Sequence, residues 1–286
     1  MPANYLSNLV AVLGSPVAEN PTCVMQQAAF DAAGLAWRYL TLEVTPDRLA
    51  DAIRGIRALG FRGLNLTVPH KVAVMPLLDE IRPDAALIGA VNTVRVDKDR
   101  RLIGENTDGK GFLRGIREDA RLDPAGKHAV ILGAGGAARA IATELALAGI
   151  ARITLVNRSV PRAERMLQDL TSRTRVSAEF IPLDTLFRIP RDADLLINAT
   201  SIGLYPDVQA MPPIAFDDAS PRLLVCDAVP NPPETRLIRE ARARSLPTLT
   251  GLSMLVYQGV IGFQMWTGQS PDEKAMKAAL ARAFDS

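Results

Sequence analysis

The sequence is short of cysteine, of long apolar runs and of any excess of one charge, and each shortage removes a class of protein. Its two cysteines, Cys23 and Cys226, stand about 200 positions apart, which makes neither a disulfide framework nor a zinc site. No metal is expected, and a reduced, cytoplasmic setting is. The longest apolar runs, such as Ala129 to Leu132, are far too short to span a bilayer. Met1 to Asn8 has no basic cluster ahead of a long apolar stretch, so it does not read as a signal peptide. Lysine and arginine number 33 against 31 aspartates and glutamates, a balance that offers no nucleic-acid footprint and no electrostatic membrane anchor. The expected partners are small molecules, without nucleic acid or membrane, and a homodimer is allowed.

What is present is ordinary globular material. Of 286 residues, 48% are hydrophobic and 22% charged, enough apolar side chains to fill two cores. At about 150 residues per domain the length suggests two lobes. Short apolar segments alternate with helical patterns through the first hundred residues, which predicts βαβ units around a largely parallel sheet. Strands are expected at 9–13, 37–44 and 63–68. A helix is expected to begin at Pro21, and another has Thr45 as cap, Pro46 as first residue and Leu49, Ile53, Ile56 and Leu59 as its apolar stripe.

A second series begins near Gly109, with a helix, a strand at 129–132, a helix to Leu147 and a strand at 153–157. Further strands are expected at 178–181, 195–198 and 223–227, followed by two C-terminal helices. The fold class predicted is α/β in two lobes. A domain over 1–108, completed by 252–286, would bind substrate, and a Rossmann-like domain over 109–251 would bind a dinucleotide.

Between the strand at 129–132 and its helix lies Gly133-Ala134-Gly135-Gly136-Ala137-Ala138, a G-x-G-x-x-A match in a strand-to-helix setting. The first glycine permits the tight turn, the second lets backbone N–H groups approach a diphosphate, and small Ala138 allows close helix packing. A glycine-rich turn without ligand is the plain alternative. At the end of the next strand, where an acid would bond an adenosine ribose 2′-hydroxyl, stands Asn157-Arg158-Ser159. Arg158, with Arg162 one helical turn on, offers guanidinium groups to a 2′-phosphate, which favours NADP over NAD. The same arginines also suit a solvated helix start.

Two polar clusters lie where strands of the first lobe should end: Asn65-Leu66-Thr67-Val68-Pro69-His70-Lys71 and Asn106-Thr107-Asp108-Gly109. Moving a hydride off a secondary alcohol also requires a base for the hydroxyl proton, since the cofactor cannot take it. A lysine in a cleft, oriented by a carboxylate, can serve. Lys71 and Asp108 are the obvious pair, and an exposed pair of little weight is the alternative on these residues alone. His70, beside a proline turn, reads as structural, and His128, ahead of a strand, as solvent-facing.

Taken together, these blocks resemble the shikimate dehydrogenase family through nearly the whole chain. Gly63 to Lys71 is similar to the family's G-x-N-V-T-x-P-x-K, Gly89 to Thr93 to its G-A-V-N-T, and Gly104 to Gly109 to its G-x-N-T-D-G. Asn157-Arg158-Ser159 resembles the N-R-T motif for NADP, Asn198 to Gly203 the N-A-T-S-x-G block, and Gln258 falls in the terminal L-x-x-Q-G block. The resemblance implies NADPH-linked, reversible reduction of 3-dehydroshikimate to shikimate, on the route to aromatic amino acids, with substrate between two lobes. Lys71 and Asp108 then correspond to the catalytic pair, and Asn65, Thr67, Asn92 and Gln258 to substrate ligands. Thr200, Ser201, Gly251 and Met254 join the cofactor set, although Met254 is equally suited to a helix core.

Two departures keep a second substrate in view. Where the family has S-x-S followed by proline for the substrate carboxylate, this chain has Glu19-Asn20-Pro21-Thr22-Cys23, so Asn20 and Thr22 would have to take over. Pro230 stands where the family usually has a tyrosine. Quinate, an aminated shikimate or another shikimate-like hydroxy acid is the alternative substrate, and an NADPH-sensing module without turnover the alternative of another class.

Overall fold

The structure, a computed structural model, describes residues 5–284. Met1 to Asn4, half of the stretch read above for a signal peptide, and the last two residues lie outside it. The chain divides into two compact units, one of residues 1–107 with 258–286 and the other of residues 108–257.

The first unit contains β1 (Asn8–Gly14), α1 (Thr22–Ala32), β2 (Trp37–Glu43), α2 (Leu49–Ala58), β3 (Gly63–Leu66), α3 (His70–Ala73), β4 (Glu80–Ile81), α4 (Pro83–Ile88), β5 (Thr93–Val96) and β6 (Leu102–Glu105). They form one six-stranded sheet in the order β2-β1-β3-β5-β6-β4. The sheet is largely parallel, as expected, with one antiparallel strand. Strands β2, β1 and β3 run parallel, but β5 is antiparallel to β3 and to β6. The five residues joining β5 to β6 are too few for a crossover, so those strands must return as a hairpin.

The core of this unit is built from Ala11, Leu13, Leu64, Leu66 and Val94 of the sheet and Leu49, Ile53 and Ile56 of α2. Leu59 does not complete the expected stripe. It lies past the end of α2 and is 73% exposed. Pro46 opens a single 3-10 turn after Thr45, with α2 following it. Likewise α1 begins at Thr22, with Pro21 just outside the first turn.

The second unit contains α5 (Asp108–Glu118), β7 (His128–Leu132), α6 (Gly136–Leu147), β8 (Arg152–Asn157), α7 (Val160–Arg173), β9 (Ser177–Pro182), β10 (Phe187–Arg188), β11 (Leu195–Asn198), β12 (Ile214–Ala215), β13 (Leu224–Asp227), α8 (Arg236–Ala243) and β14 (Thr248–Leu249). Its six-stranded sheet is parallel throughout, in the order β14-β13-β11-β7-β8-β9. Read from the other edge this is the 3-2-1-4-5-6 order of the doubly wound dinucleotide fold. Alternate residues of β7 serve opposite faces: Ala129 and Ile131 pack in one core with Ile141, Leu155 and Ile197, while Val130 and Leu132 pack in another with Leu196, Val225 and Leu237. Burial on both faces explains why these strands read as continuous apolar runs.

Two helices close the chain, α9 (Gly251–Thr267) and α10 (Glu273–Phe284). The unit boundary falls inside α9, between Tyr257 and Gln258. Its first two turns belong to the second unit for a visible reason: Ser253 Oγ and Tyr257 OH both donate to the carboxylate of Asp119, at 2.7 and 2.9 Å. From Gln258 onward the helix packs in the first unit, where Phe263 stacks on Phe30 and the Trp266 Nε1 donates to Val94 O at 3.0 Å.

Candidate active site

In the second unit the strand order reverses between β7 and β11, the place where doubly wound sheets receive ligands at the carboxyl ends of their strands. The chain leaves β7 through Gly133, whose φ of 110° is open to glycine and strained for any other residue. A Cβ there would also stand 3.0 Å from Ala199 O. Ala134 and Ala138 are buried, Ala137 is half-buried, and Gly135 and Gly136 are exposed at the start of α6. A Cβ on either glycine would meet nothing within 4 Å, and no side chain caps the helix. Its first N–H groups are therefore without a side-chain acceptor and aligned at the positive end of the helix dipole, which is what a diphosphate needs.

At the end of β8, Asn157 Nδ2 donates to Ser159 O at 2.9 Å and shapes the entry to α7. Arg158 and Arg162 are exposed, and among the described residues neither pairs with a carboxylate. Arg139, by contrast, is held by Asp169 at 2.8 Å. Two guanidinium groups without acidic partners beside a strand end without an acid suit a second phosphate. Thr200 is half-buried and Ser201 exposed in the turn that follows β11. Gly251, the first residue of α9, is buried, and Met254 is packed in the core with Phe112 and Leu249.

The first unit builds its candidate site from side chains. Asn65, Asn92 and Gln258, far apart in sequence, enter one buried network. Asn65 Oδ1 accepts from Tyr39 OH at 2.6 Å, and its amide donates to Thr93 Oγ1 at 2.9 Å and to Asn92 O at 3.2 Å. The Asn92 amide donates to Thr107 Oγ1 at 3.1 Å and its Oδ1 accepts from Thr107 N at 2.7 Å, while Thr107 Oγ1 reaches Gln258 Oε1 at 3.5 Å. Burial pushes the Tyr39 phenol well above its usual pKa, with Cys23 adding to the shift, so it stays protonated and donates. Thr93 and Thr107 stand in the sequence reading only as members of their motif blocks, and Tyr39 only within a strand. The inward positions of W-R-Y in β2 and the threonines beside Asn92 and Asn106 were the available signals.

Thr67 is half-buried just past β3 and Lys71 is half-buried in α3, where its carbonyl accepts from Val91 N at 2.8 Å. Asp108 is buried as the first residue of α5, next in sequence to Thr107. Asn20 and Thr22 bond locally: Asn20 Oδ1 accepts from Thr22 N at 3.0 Å, which turns the chain into α1. Glu43 closes the preceding loop, accepting from Ser15 Oγ at 3.1 Å and Val17 N at 3.3 Å.

The histidines divide. His70 is wholly buried with its Nε2 2.7 Å from Val44 O, a structural clasp as expected. His128 corrects the solvent-facing expectation. It is 6% exposed, its Nε2 lies 2.9 Å from Thr154 Oγ1, and its pKa is lowered by burial and by Arg152. Its strand is central in the sheet, so even the first residue is covered.

Residues 12–94 match the model of the shikimate dehydrogenase substrate binding domain, residues 118–237 that of shikimate / quinate 5-dehydrogenase, and residues 251–281 that of the shikimate 5′-dehydrogenase C-terminal domain. A shikimate dehydrogenase (NADP(+)) of Methanopyrus kandleri is 46% identical, over 96% of this chain and 95% of that one. Among solved structures, the ligand-free 5-ketofructose reductase of Gluconobacter is 45% identical with a TM-score of 0.93, covering 98% of this chain and 100% of that one. The shikimate 5-dehydrogenase of Thermus thermophilus, solved with NADP(H) and shikimate, is 37% identical with a TM-score of 0.85, over 96% and 99%. The chain belongs to the shikimate dehydrogenase family, a family of oxidoreductases.

Proposed function

We propose that the protein is an NADP-dependent oxidoreductase that interconverts 3-dehydroshikimate and shikimate. The observation that carries this reading is the pairing, in one chain, of an uncapped glycine turn beside two arginines without acidic partners and a buried cluster of amides and hydroxyls around Asn65, Asn92 and Gln258. In this reading residues 109–251 hold the dinucleotide, and residues 1–108 with 252–286 hold the substrate. The open space at Gly135 and Gly136 fits a diphosphate, and Arg158 and Arg162 fit a 2′-phosphate. When bound, NADPH supplies the hydride.

The chain's own residues handle position and the proton. Asn65, Thr67, Asn92 and Gln258 orient ring hydroxyls, a task that calls for several fixed donors and acceptors. Lys71 delivers a proton to the carbonyl oxygen in reduction and takes it from the hydroxyl in oxidation, with Asp108 orienting it and relaying the proton to solvent. The balance is ketone, NADPH and one proton to alcohol and NADP. Asn20 and Thr22 bind the far side of the substrate. The two free cysteines suit a reduced, cytoplasmic setting.

A second reading concerns substrate alone. The carboxylate of Glu43 closes the loop ahead of α1, and a fixed negative charge there suits an uncharged polyhydroxylated ketone better than an acid. The 45% identity to a 5-ketofructose reductase points the same way. Initial rates of NADPH oxidation with 3-dehydroshikimate and with 5-ketofructose separate the two. A higher kcat/KM on 3-dehydroshikimate supports the first reading, and a higher value on the ketose replaces it with the second.

A further inference from the structure

Asp227 ends β13, is 2% exposed, and carries a carboxylate that the reaction outlined above does not use. Three donors converge on it. Its Oδ1 accepts from Asn198 Nδ2 at 3.0 Å and from Val229 N at 2.9 Å, and its Oδ2 accepts from Thr235 Oγ1 at 2.6 Å. Each donor comes from a different stretch: Asn198 ends β11, Val229 lies in the loop leaving β13, and Thr235 caps α8 by accepting from Ile238 N at 3.4 Å.

Asn198 passes the constraint on. Its amide also donates to Ile202 O at 3.2 Å, and its Oδ1 accepts from Thr200 N at 3.2 Å and Thr200 Oγ1 at 2.7 Å. Thr200 Oγ1 in turn accepts from Ile202 N at 3.0 Å. These bonds fold the turn from Asn198 to Gly203, whose Ala199 O and Thr200 Cγ2 lie against Gly133. On the other side of the carboxylate, the Val229 loop lies against the start of α9. A Cβ on Gly251 would fall 2.2 Å from Val229 O. One buried carboxylate thus joins the turn that backs the glycine loop to the loop beneath Gly251, at the edge of the sheet where its strand order reverses.

No guanidinium or ammonium bonds to Asp227 among the described residues. Its contacts are an amide, a hydroxyl and a backbone N–H, and the adjacent Cys226 thiol is itself pushed up by burial and by Asp227. Burial raises Asp227 to about 6 against the pull of its three hydrogen bonds. A carboxylate kept so deep without a counter-ion costs stability relative to an apolar residue. Its three bonds are what that cost maintains: one ends on the Val229 backbone and one on the Asn198 amide, whose other bonds fold the Asn198–Gly203 turn.

We infer that Asp227 is a positioning residue for the dinucleotide, holding the Asn198–Gly203 turn and the Val229 loop in the shape that the Gly133 turn and Gly251 require. The inference rests on the reading that the second unit binds NADP. It is tested by fluorescence titration of NADPH into the full-length wild type, Asp227→Ala, Asp227→Asn and Thr235→Val, with kcat at saturating NADPH and Tm recorded for each. Asp227→Ala is expected to raise the Kd for NADPH about tenfold, the scale of a broken buried network, while keeping most of kcat. Asp227→Asn retains the Oδ1 acceptor and can donate to the Thr235 hydroxyl, so it is expected to rescue binding.

Thr235→Val removes the bond on the side away from Asn198, and is expected to lower Tm and leave Kd unchanged. A folded Asp227→Ala with the wild-type Kd overturns the inference, as does a Thr235→Val that weakens NADPH as much as Asp227→Ala. If Asp227→Ala does not fold, Asn198→Ala decides: a raised Kd supports the role and an unchanged one overturns it. Absence of saturable NADPH binding by the wild type removes the cofactor reading itself, and the positioning role with it.

Discussion

In the second unit the surface offered to a ligand is mostly backbone, the N–H groups at Gly135 and Gly136 with Arg158 and Arg162 beside them, whereas in the first unit Asn65, Asn92, Thr107 and Gln258 hold one another by their side chains. A backbone surface is set by geometry. It requires glycine where φ is positive and little else, so it tolerates change around it and takes any ligand with the right phosphates. A side-chain network depends on the identity of each member, since removing one leaves another buried and unsatisfied. Cofactor class is therefore the robust property of this chain and substrate class the adjustable one.

The sharpest way to break that contrast is Lys71→Ala, which removes the proposed proton donor from the first unit. Turnover should fall by about 10²–10⁴-fold, the usual weight of general acid–base catalysis, while the Kd for NADPH stays at the wild-type value. Loss of NADPH binding in parallel would mean that Lys71 is structural. Arg158→Ala probes the opposite half and should raise the KM for NADPH about tenfold with little effect on the KM for NADH, because only the former carries the 2′-phosphate. Equal effects on both would remove Arg158 from phosphate recognition.

The smallest effect is on stability. Asp227 titrates near 6 in the folded protein, above the value of about 3.9 for an exposed aspartate. Between those values the folded chain binds the proton that the unfolded chain has released. The contribution is thus complete below about pH 4 and is lost as pH rises through 6. Urea titrations across this window should show that decline in the wild type and a flatter profile in Asp227→Asn. Identical slopes would contradict the burial argument.

Much of this was legible in the sequence, and the exceptions share a cause. The glycine turn, the continuous apolar strands and the N-R-S strand end are local signals, and they stand at the expected places in a doubly wound sheet. The blocks around Asn65 and Asn92 are local too, but that they share one network with Gln258 depends on a helix arriving from the end of the chain. Tyr39 was hidden because its partner Asn65 lies on another strand. His128 looked exposed because a strand's first residue often is, yet β7 has neighbours on both sides. Asp227 stood in plain view beside Pro230, but its three donors come from residues 198, 229 and 235, which only the fold brings together. The hairpin of β5 and β6 was missed because period-2 patterning does not carry strand direction.

The most direct test of the whole account is the steady-state rate of the wild type on 3-dehydroshikimate with NADPH and with NADH. The account predicts saturable turnover with a kcat/KM that favours NADPH by at least about tenfold, the share assigned to Arg158. Equal use of both cofactors, or no oxidation of NADPH with either 3-dehydroshikimate or 5-ketofructose, would contradict it.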